Sequence, residues 1–386
     1  MMQAADWTYP TQVRFGAGRI GELAVACRSL EIERPLLVTD TGLAQSSMIV
    51  DTVEQCRADG LGIELFSKIK SNPSETNLAD GLAALKAGNH DGVIAFGGGS
   101  ALDVGKVVAF MSGQTRPVWD FEDIGDWWTR ADPGGILPII AVPTTAGTGS
   151  EVGRAGVISQ DESQAKKIIF HPRMMPSVVL SDPELCVGLP ANLTAWTGLD
   201  ALVHCLEAYC AKGFHPMADG VALEGIALIK TYLQRAVEDG TDLEARSGML
   251  VAASMGAMAF QKGLGAIHAL AHPVGALYDT HHGLTNAVLM PYVLRFNQTA
   301  ITEHCDRIAR YLDLPDPSFE ALFKWVIDLR EAFDIPGTLD KLIDDDSQFE
   351  KLAKMAAVDP SAGGNPIELS KDNCLDLYRS SFCGEL

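Results

Sequence analysis

The feature that most constrains this chain is a change of texture near residue 185. Before that point short β-branched runs alternate with amphipathic helical stretches. After it, from Asn192 onward, strand-like alternation all but disappears. The pattern predicts strands at Gln12–Phe15, Pro35–Thr39, Gly62–Phe66, Gly92–Phe96 and Ile136–Val142, with helices over Met48–Gly60 and Glu75–Gly88 between them. Such alternation specifies a parallel sheet with helices on both faces. The second half reads as helices only, clearest over Ala201–Tyr209, Ala218–Val237, Leu243–Phe260 and Phe319–Phe333. A chain of 386 residues also exceeds a single core. Two domains are therefore expected: a Rossmann-like α/β domain over residues 1–185 and an all-helical domain over residues 186–386.

Within the first domain the apolar run Gly92-Val-Ile-Ala-Phe96 passes directly into Gly97-Gly-Gly-Ser100, with Asp103 one turn later. Gly97, Gly98 and Gly99 let a backbone approach a pyrophosphate closely, and the N–H groups opening the next helix favour negative charge. Ser100 and Asp103 have capping-box-like spacing. The segment is not the usual dinucleotide fingerprint. Leu102 stands where the third glycine belongs, and the acidic strand-end residue, Asp40, precedes the glycines instead of following them. A carboxylate at a strand end still suits ribose hydroxyls and repels a 2′-phosphate, so Asp40 favours NAD over NADP. A second small-residue loop, Thr144-Thr145-Ala-Gly-Thr148-Gly-Ser150, follows the strand ending at Val142. Two such loops on neighbouring strand ends fit the rule that ligands bind beyond the carboxyl ends of an open α/β sheet. Asn72-Pro73, past the strand ending at Phe66, either lines the same crevice or makes a turn.

Six of the nine histidines lie between Asp200 and Gly283. Asp200 and His204 are four apart in a helical stretch and project from one face; His268 and His272 repeat that spacing. With the His281-His282-Gly283 turn they predict that Asp200, His204, His268 and His282 converge on one divalent cation. One carboxylate and three neutral imidazoles suit Fe(II) or Zn(II) over Mg(II) or Ca(II), which prefer oxygen cages. Glu207, one turn beyond His204, is either a ligand or a carboxylate behind one. His90, His171, His215 and His304 read as solvated or structural, and Trp127-Trp128 as inter-helix packing in preference to a cap on a substrate pocket.

The net charge of −20 argues against nucleic acid or an anionic membrane as partner, since both need clustered Lys and Arg. Eight scattered cysteines without a Cys-x-x-Cys read as free thiols of a reducing compartment. No basic segment followed by an apolar core occurs at the N-terminus, so a cytoplasmic location is expected.

The chain resembles the iron-containing (group III) alcohol dehydrogenases nearly end to end. The motifs that carry the resemblance are Gly97-Gly-Gly-Ser-x-x-Asp103, Pro143-Thr-Thr-Ala-Gly-Thr-Gly-Ser-Glu151, Gly198-Leu-Asp-Ala-x-x-His204 with Glu207-Ala-Tyr209, His268-Ala-Leu-Ala-His272-Pro and His282-Gly-x-x-Asn286-Ala. The resemblance implies a dehydroquinate-synthase-like fold with cofactor and metal in a cleft between the domains. It assigns the same four ligands, places His272 near the nicotinamide and matches Lys166 to a lysine near the cofactor. It implies reversible hydride transfer between NAD(H) and a small primary alcohol, diol or hydroxy acid, with the proton leaving through water, the ribose hydroxyls or His272. A homodimer or higher homo-oligomer is also implied. The alternatives are a hydroxyacid–oxoacid transhydrogenase of the same fold and a metal-dependent hydrolase or lyase. Against the last, no His-Glu-x-x-His occurs, and two glycine loops would be idle.

Overall fold

The computed structural model describes residue 9, residues 11–162 and residues 165–386. The N-terminal stretch Met1–Trp7, read above for targeting signals, lies outside them. The chain divides into two compact units, one containing Tyr9–Leu189 with Gly240–Leu250 and the other Pro190–Asp239 with Val251–Leu386.

The first unit carries the strands β1 (Gln12–Phe15), β2 (Pro35–Val38), β3 (Glu64–Phe66), β4 (Gly92–Gly97), β5 (Ile139–Pro143), β6 (Ala155–Gln160), β7 (Ala165–Phe170) and β8 (Val178–Ser181). Six of them form one parallel sheet in the order β1-β8-β5-β4-β2-β3. β6 and β7 pair antiparallel as a separate ribbon, which the sequence pattern had not suggested. The central strands are buried on both faces, and their side chains alternate between two cores. Leu36, Val38, Val93 and Ile139 enter one; Leu37, Ile94, Phe96, Ile140 and Val142 enter the other. Helices α1 (Leu23–Ser29) and α2 (Ser47–Ala58) supply Leu23, Cys27, Ile49 and Val53 to the second core. Helices α3 (Glu75–Ala87) and α4 (Gly99–Met111) supply Leu78, Leu85, Val104 and Val108 to the first.

Helix α4 is buried on nearly every side from Ala101 to Met111, because it lies between the sheet and the β6–β7 ribbon. Its N-cap is Gly98, one residue before the helix. The expected Ser100–Asp103 capping box therefore does not form. Ser100 already lies inside the helix, with its hydroxyl donating to the Ser71 carbonyl at 2.5 Å, and Asp103 turns to other partners.

The second unit is helical: α5 (Ala191–Cys210), α6 (Pro216–Glu238), the part of α7 (Leu243–Ala259) beyond Leu250, α8 (Ala266–Tyr278), α9 (His282–Tyr311), α10 (Phe319–Ala332), α11 (Phe349–Ala357) and α12 (Lys371–Cys383). α5 extends well beyond the stretch expected from sequence, and Pro273 and Pro291 sit inside α8 and α9. Tyr378 of α12 is fully buried and donates to the Leu270 carbonyl at 2.7 Å, tying down the middle of α8. The cysteines are free thiols; burial pushes those of Cys27, Cys186 and Cys205 up to about 12, which keeps them protonated and inert. No single helix among the described residues is long and apolar enough to cross a membrane.

The approach of α4 to the sheet gives a direct test. A Cβ on Gly105 would lie 2.6 Å from Ala95 Cβ and 3.2 Å from Ala95 Cα on β4. Gly105→Ala gains up to about 1 kcal/mol of helix propensity, but overpacking of this kind costs about 1–3 kcal/mol. A lower urea midpoint is expected; an unchanged or higher one would show that helix and strand are not in this contact.

Candidate functional site

In the α/β unit, most of the residues singled out for a cofactor gather where β2, β4 and β5 end. These three strands are neighbours in the sheet, so the carboxyl ends that carry Asp40, the glycine turn and the Thr144 loop are adjacent. Gly97 has φ +145°, a backbone geometry that side-chain-bearing residues rarely adopt. A Cβ placed on it would lie 3.4 Å from Asp40 Oδ2. Asp40 Oδ1 accepts from the Leu43 amide at 3.0 Å, so the other oxygen is the one directed at the turn. Thr144 N donates to the Gly97 carbonyl at 3.0 Å, which fastens the second loop to the first. Thr145 and Thr148 lie against Gly98 and Gly99.

Asn72 follows Ser71, whose carbonyl takes the Ser100 hydroxyl. Lys166 stands opposite Ser159 in the β6–β7 ribbon, and Ser159 N donates to the Pro73 carbonyl at 2.8 Å. Asp103 is buried and faces inward. Its Oδ1 accepts from Ser150 Oγ at 2.5 Å and lies 3.3 Å from the buried Lys106 Nζ, and its Oδ2 accepts from Val157 N at 2.9 Å. Lys106 donates to the carbonyls of Ser150 (3.0 Å) and Ala155. Burial pushes this ammonium below its ordinary range, against the pull of Asp103 and Glu151. The Asp103–Lys106 pair thus supports the loop from behind.

In the helical unit the acidic residue and the histidines meet. α5 is apolar nearly all round, yet Asp200, His204 and Glu207 are buried along it. Donor atoms of Asp200, His204 and His268 all lie within 4.8 Å of one another. His282 Nε2 is 3.6 Å and His268 Nε2 4.0 Å from Asp200 Oδ1. The rings of His204 and His268 stack at 4.7 Å, and those of His268 and His282 lie 5.2 Å apart. Of the adjacent pair at the start of α9, His281 caps the helix, its Nδ1 accepting from Leu284 N at 3.4 Å.

Glu207, left between two roles by the sequence, accepts from His268 Nδ1 at 2.6 Å and from Ile267 N at 2.6 Å. A proton held on Nδ1 leaves the Nε2 lone pair of His268 available, as in metal-ligating histidines generally. Burial pushes the His268 imidazole down, but Glu207, Asp200 and Asp359 outweigh it and leave the ring above its ordinary value. A field that attracts a proton there also attracts a cation. One carboxylate, three imidazoles and an oriented outer nitrogen fit a divalent Fe or Zn ion.

His272 projects from the turn after His268, its ring 5.4 Å from that of His282. Its Nδ1 lies 2.9 Å from Asp359 Oδ2, and Asp359 Oδ1 accepts from Ser361 N at 2.8 Å. Burial pushes the Asp359 carboxyl up, but His272 and Ser361 more than reverse this and hold it below its ordinary range. Sequence reasoning missed Asp359, which lies 87 residues from His272 and carries no local signal. Of the four histidines set aside, His90, His171 and His215 are buried and structural, whereas His304 is exposed. His171 and His215 are buried caps accepting from Arg173 N and Ala218 N, and buried His90 contacts the Arg34 carbonyl. The ring of His304 meets Tyr209 edge-on. Trp128 packs edge-on against Phe170 at the end of β7 and against His171, not between helices.

The sequence model of the iron-containing alcohol dehydrogenases matches residues 10–183, and that of the C-terminal domain of the Fe-containing alcohol dehydrogenase family matches residues 194–382. The chain is 38% identical over 372 residues to a 4-hydroxybutyrate dehydrogenase of Cupriavidus necator, covering 94% of this chain and 96% of that one. It is 33% identical over 374 residues to an NAD-dependent methanol dehydrogenase of Bacillus methanolicus, covering 95% and 97%. Among solved structures, a 1,3-propanediol oxidoreductase superposes with a TM-score of 0.93 at 35% identity, covering 98% of this chain and 100% of that one.

The two adjacent histidines allow a sharp comparison. His281→Ala is expected to cost about 1 kcal/mol through loss of the cap and to leave metal content unchanged. His282→Ala is expected to lower affinity for Zn(II) at least about tenfold. Metal analysis of the purified variants checks this, and equal metal content in both would remove His282 from the donor set.

Proposed function

Because the chain belongs to the iron-containing alcohol dehydrogenase family and is a metal-dependent alcohol oxidoreductase, we propose that it interconverts a small primary alcohol and its aldehyde with NAD(H). Diols and ω-hydroxy acids fall within the same substrate class, in keeping with the names of its relatives. The observation that carries this reading is the buried cluster of Asp200, His204 and His268, with His282 3.6 Å from Asp200. Those four residues would hold Fe(II), with Zn(II) as the alternative. When bound, such a cation supplies Lewis-acid polarisation of the alcohol oxygen, the effect that takes water from a pKa of about 15.7 to about 7.

The protein's own residues do the rest. Glu207 keeps the His268 proton on Nδ1. Asp359 orients the His272 ring, whose Nε2 would receive the hydroxyl proton or pass it to water. Support for NAD(H) comes from Asp40, whose Oδ2 faces the glycine turn where a ribose diol would sit. Gly97–Ser100, with the amides opening α4, suits the pyrophosphate; Thr144, Thr145 and Thr148 suit the adjoining phosphate or carboxamide. Asn72 and Lys166 would border the nucleotide, and Asp103 would hold the loop in shape.

The test is metal-stripped protein reloaded with Fe(II) or Zn(II) and assayed with NAD and NADP against short primary alcohols, diols and ω-hydroxy acids. Turnover that needs the metal and prefers NAD is expected. Asp40→Ala should reduce the preference for NAD over NADP by about tenfold or more, equivalent to about 1.4 kcal/mol. NADH fluorescence, titrated without substrate, reads the nucleotide site separately. Unchanged cofactor preference in the variant would take Asp40 out of it.

A further inference from the structure

One residue at the donor cluster has no assigned part. Asn286 lies one helical turn after His282 on α9, so the two side chains project from the same face. It is fully buried. Its Nδ2 lies 2.8 Å from Asp200 Oδ1, 3.1 Å from His282 Nε2 and 3.4 Å from His268 Nε2. An amide group has two hydrogens, and here three acceptors surround it. At the other end of the same side chain, Oδ1 is buried with no hydrogen-bond partner. Leaving a buried acceptor in that state costs about 1–3 kcal/mol. Turning the amide over would bring that oxygen against all three acceptors. The donor cluster therefore dictates which way the amide points, at the expense of the amide's own carbonyl.

We propose that Asn286 is a positioning residue of the metal centre, its amide holding Asp200 by Oδ1, the oxygen that faces the Nε2 atoms of His282 and His268, and so fixing the carboxylate where the cation would bind. The proposal rests on the ligand set given above. The chemistry explains the choice of side chain. A buried carboxylate needs a donor, but Lys or Arg would neutralise it and repel a divalent ion. A neutral amide fixes the geometry and leaves the charge of Asp200 for the cation.

The experiment uses full-length protein stripped of metal and titrated with Zn(II) against a chromophoric chelator, with Co(II) visible spectra as a second readout. Asn286→Ala should weaken Zn(II) binding about 10–100-fold, the range for residues that orient ligands. It should also alter the spectrum of the Co(II)-saturated protein, which a purely structural role would not move. Asn286→Asp is nearly isosteric and keeps the helix packing, so it serves if the alanine variant does not fold. Having an acceptor where the donor was, it should also bind more weakly than the wild type. Wild-type affinity and spectrum in these variants would overturn the proposal, as would tighter binding by Asn286→Asp, which would mean that oxygen faces the cation. Asp200→Ala separates the two levels: if it too keeps wild-type affinity, the ligand set itself is wrong, whereas loss there with none at Asn286 refutes the positioning role alone.

Discussion

Three buried carboxylates govern the helical unit. Asp200, Glu207 and Asp359 are all withdrawn from water, and each ion so placed costs several kcal/mol unless it is compensated. Glu207 is matched by a backbone amide and the His268 imidazole, Asp359 by a backbone amide and the His272 imidazole. Asp200 is treated differently. It accepts from a neutral amide, and two imidazole nitrogens stand off at 3.6 and 4.0 Å, beyond hydrogen-bond range. Among the described residues no Lys or Arg forms an ion pair with Asp200, so its charge is left to attract a cation.

The α/β unit solves a different electrostatic problem. A chain with a net charge of −20 repels anions at long range. The anionic nucleotide proposed to bind there would have to be held by short-range partial charges, which the amides at the start of α4 could supply without a mobile cation. The buried Asp103–Lys106 pair lies behind that loop, where its charges cancel locally and its hydrogen bonds fix the backbone around Ser150 and Ala155. The shape of this loop, the proposed phosphate site, thus depends on charge hidden one layer beneath it.

How much of this was legible in the sequence follows from how local each interaction is. Asp200 with His204, and His268 with His272, were readable because the helical period alone puts each pair on one face. The parallel sheet was readable from strand runs that feed directly into glycine or threonine loops. The β6–β7 ribbon was not, because Lys166-Lys167 interrupts its apolar alternation and its pairing is decided by packing on α4. The limits of α8 and α9 were obscured by Pro273 and Pro291, which ordinarily end helices but are carried here inside them. Asp359, which orients His272, and Asn365, which accepts from Ala266 N at the start of α8, reach their partners across 87 and 99 residues. No local pattern announces contacts of that kind. The Ser100–Asp103 spacing shows the converse: a local pattern was present, and the tertiary demands of Ser71, Lys106 and Ser150 overrode it.

The donor cluster rides on three separate helices, Asp200 and His204 on α5, His268 on α8 and His282 on α9. Rigid elements hold side chains more exactly than loops do, but only as well as the helices hold one another. That places part of the burden of metal geometry on residues with no polar role at the site. Tyr378 is one: its hydroxyl fastens the middle of α8 at Leu270, between His268 and His272. The Asn297–Asn365 pair is another, with two reciprocal amide contacts at 2.9 Å and a third bond to Ala266 N that fixes where α8 begins. Because a shift of a few tenths of an ångström at a metal donor matters more than the same shift elsewhere, these anchors bear on the chemistry through backbone position alone.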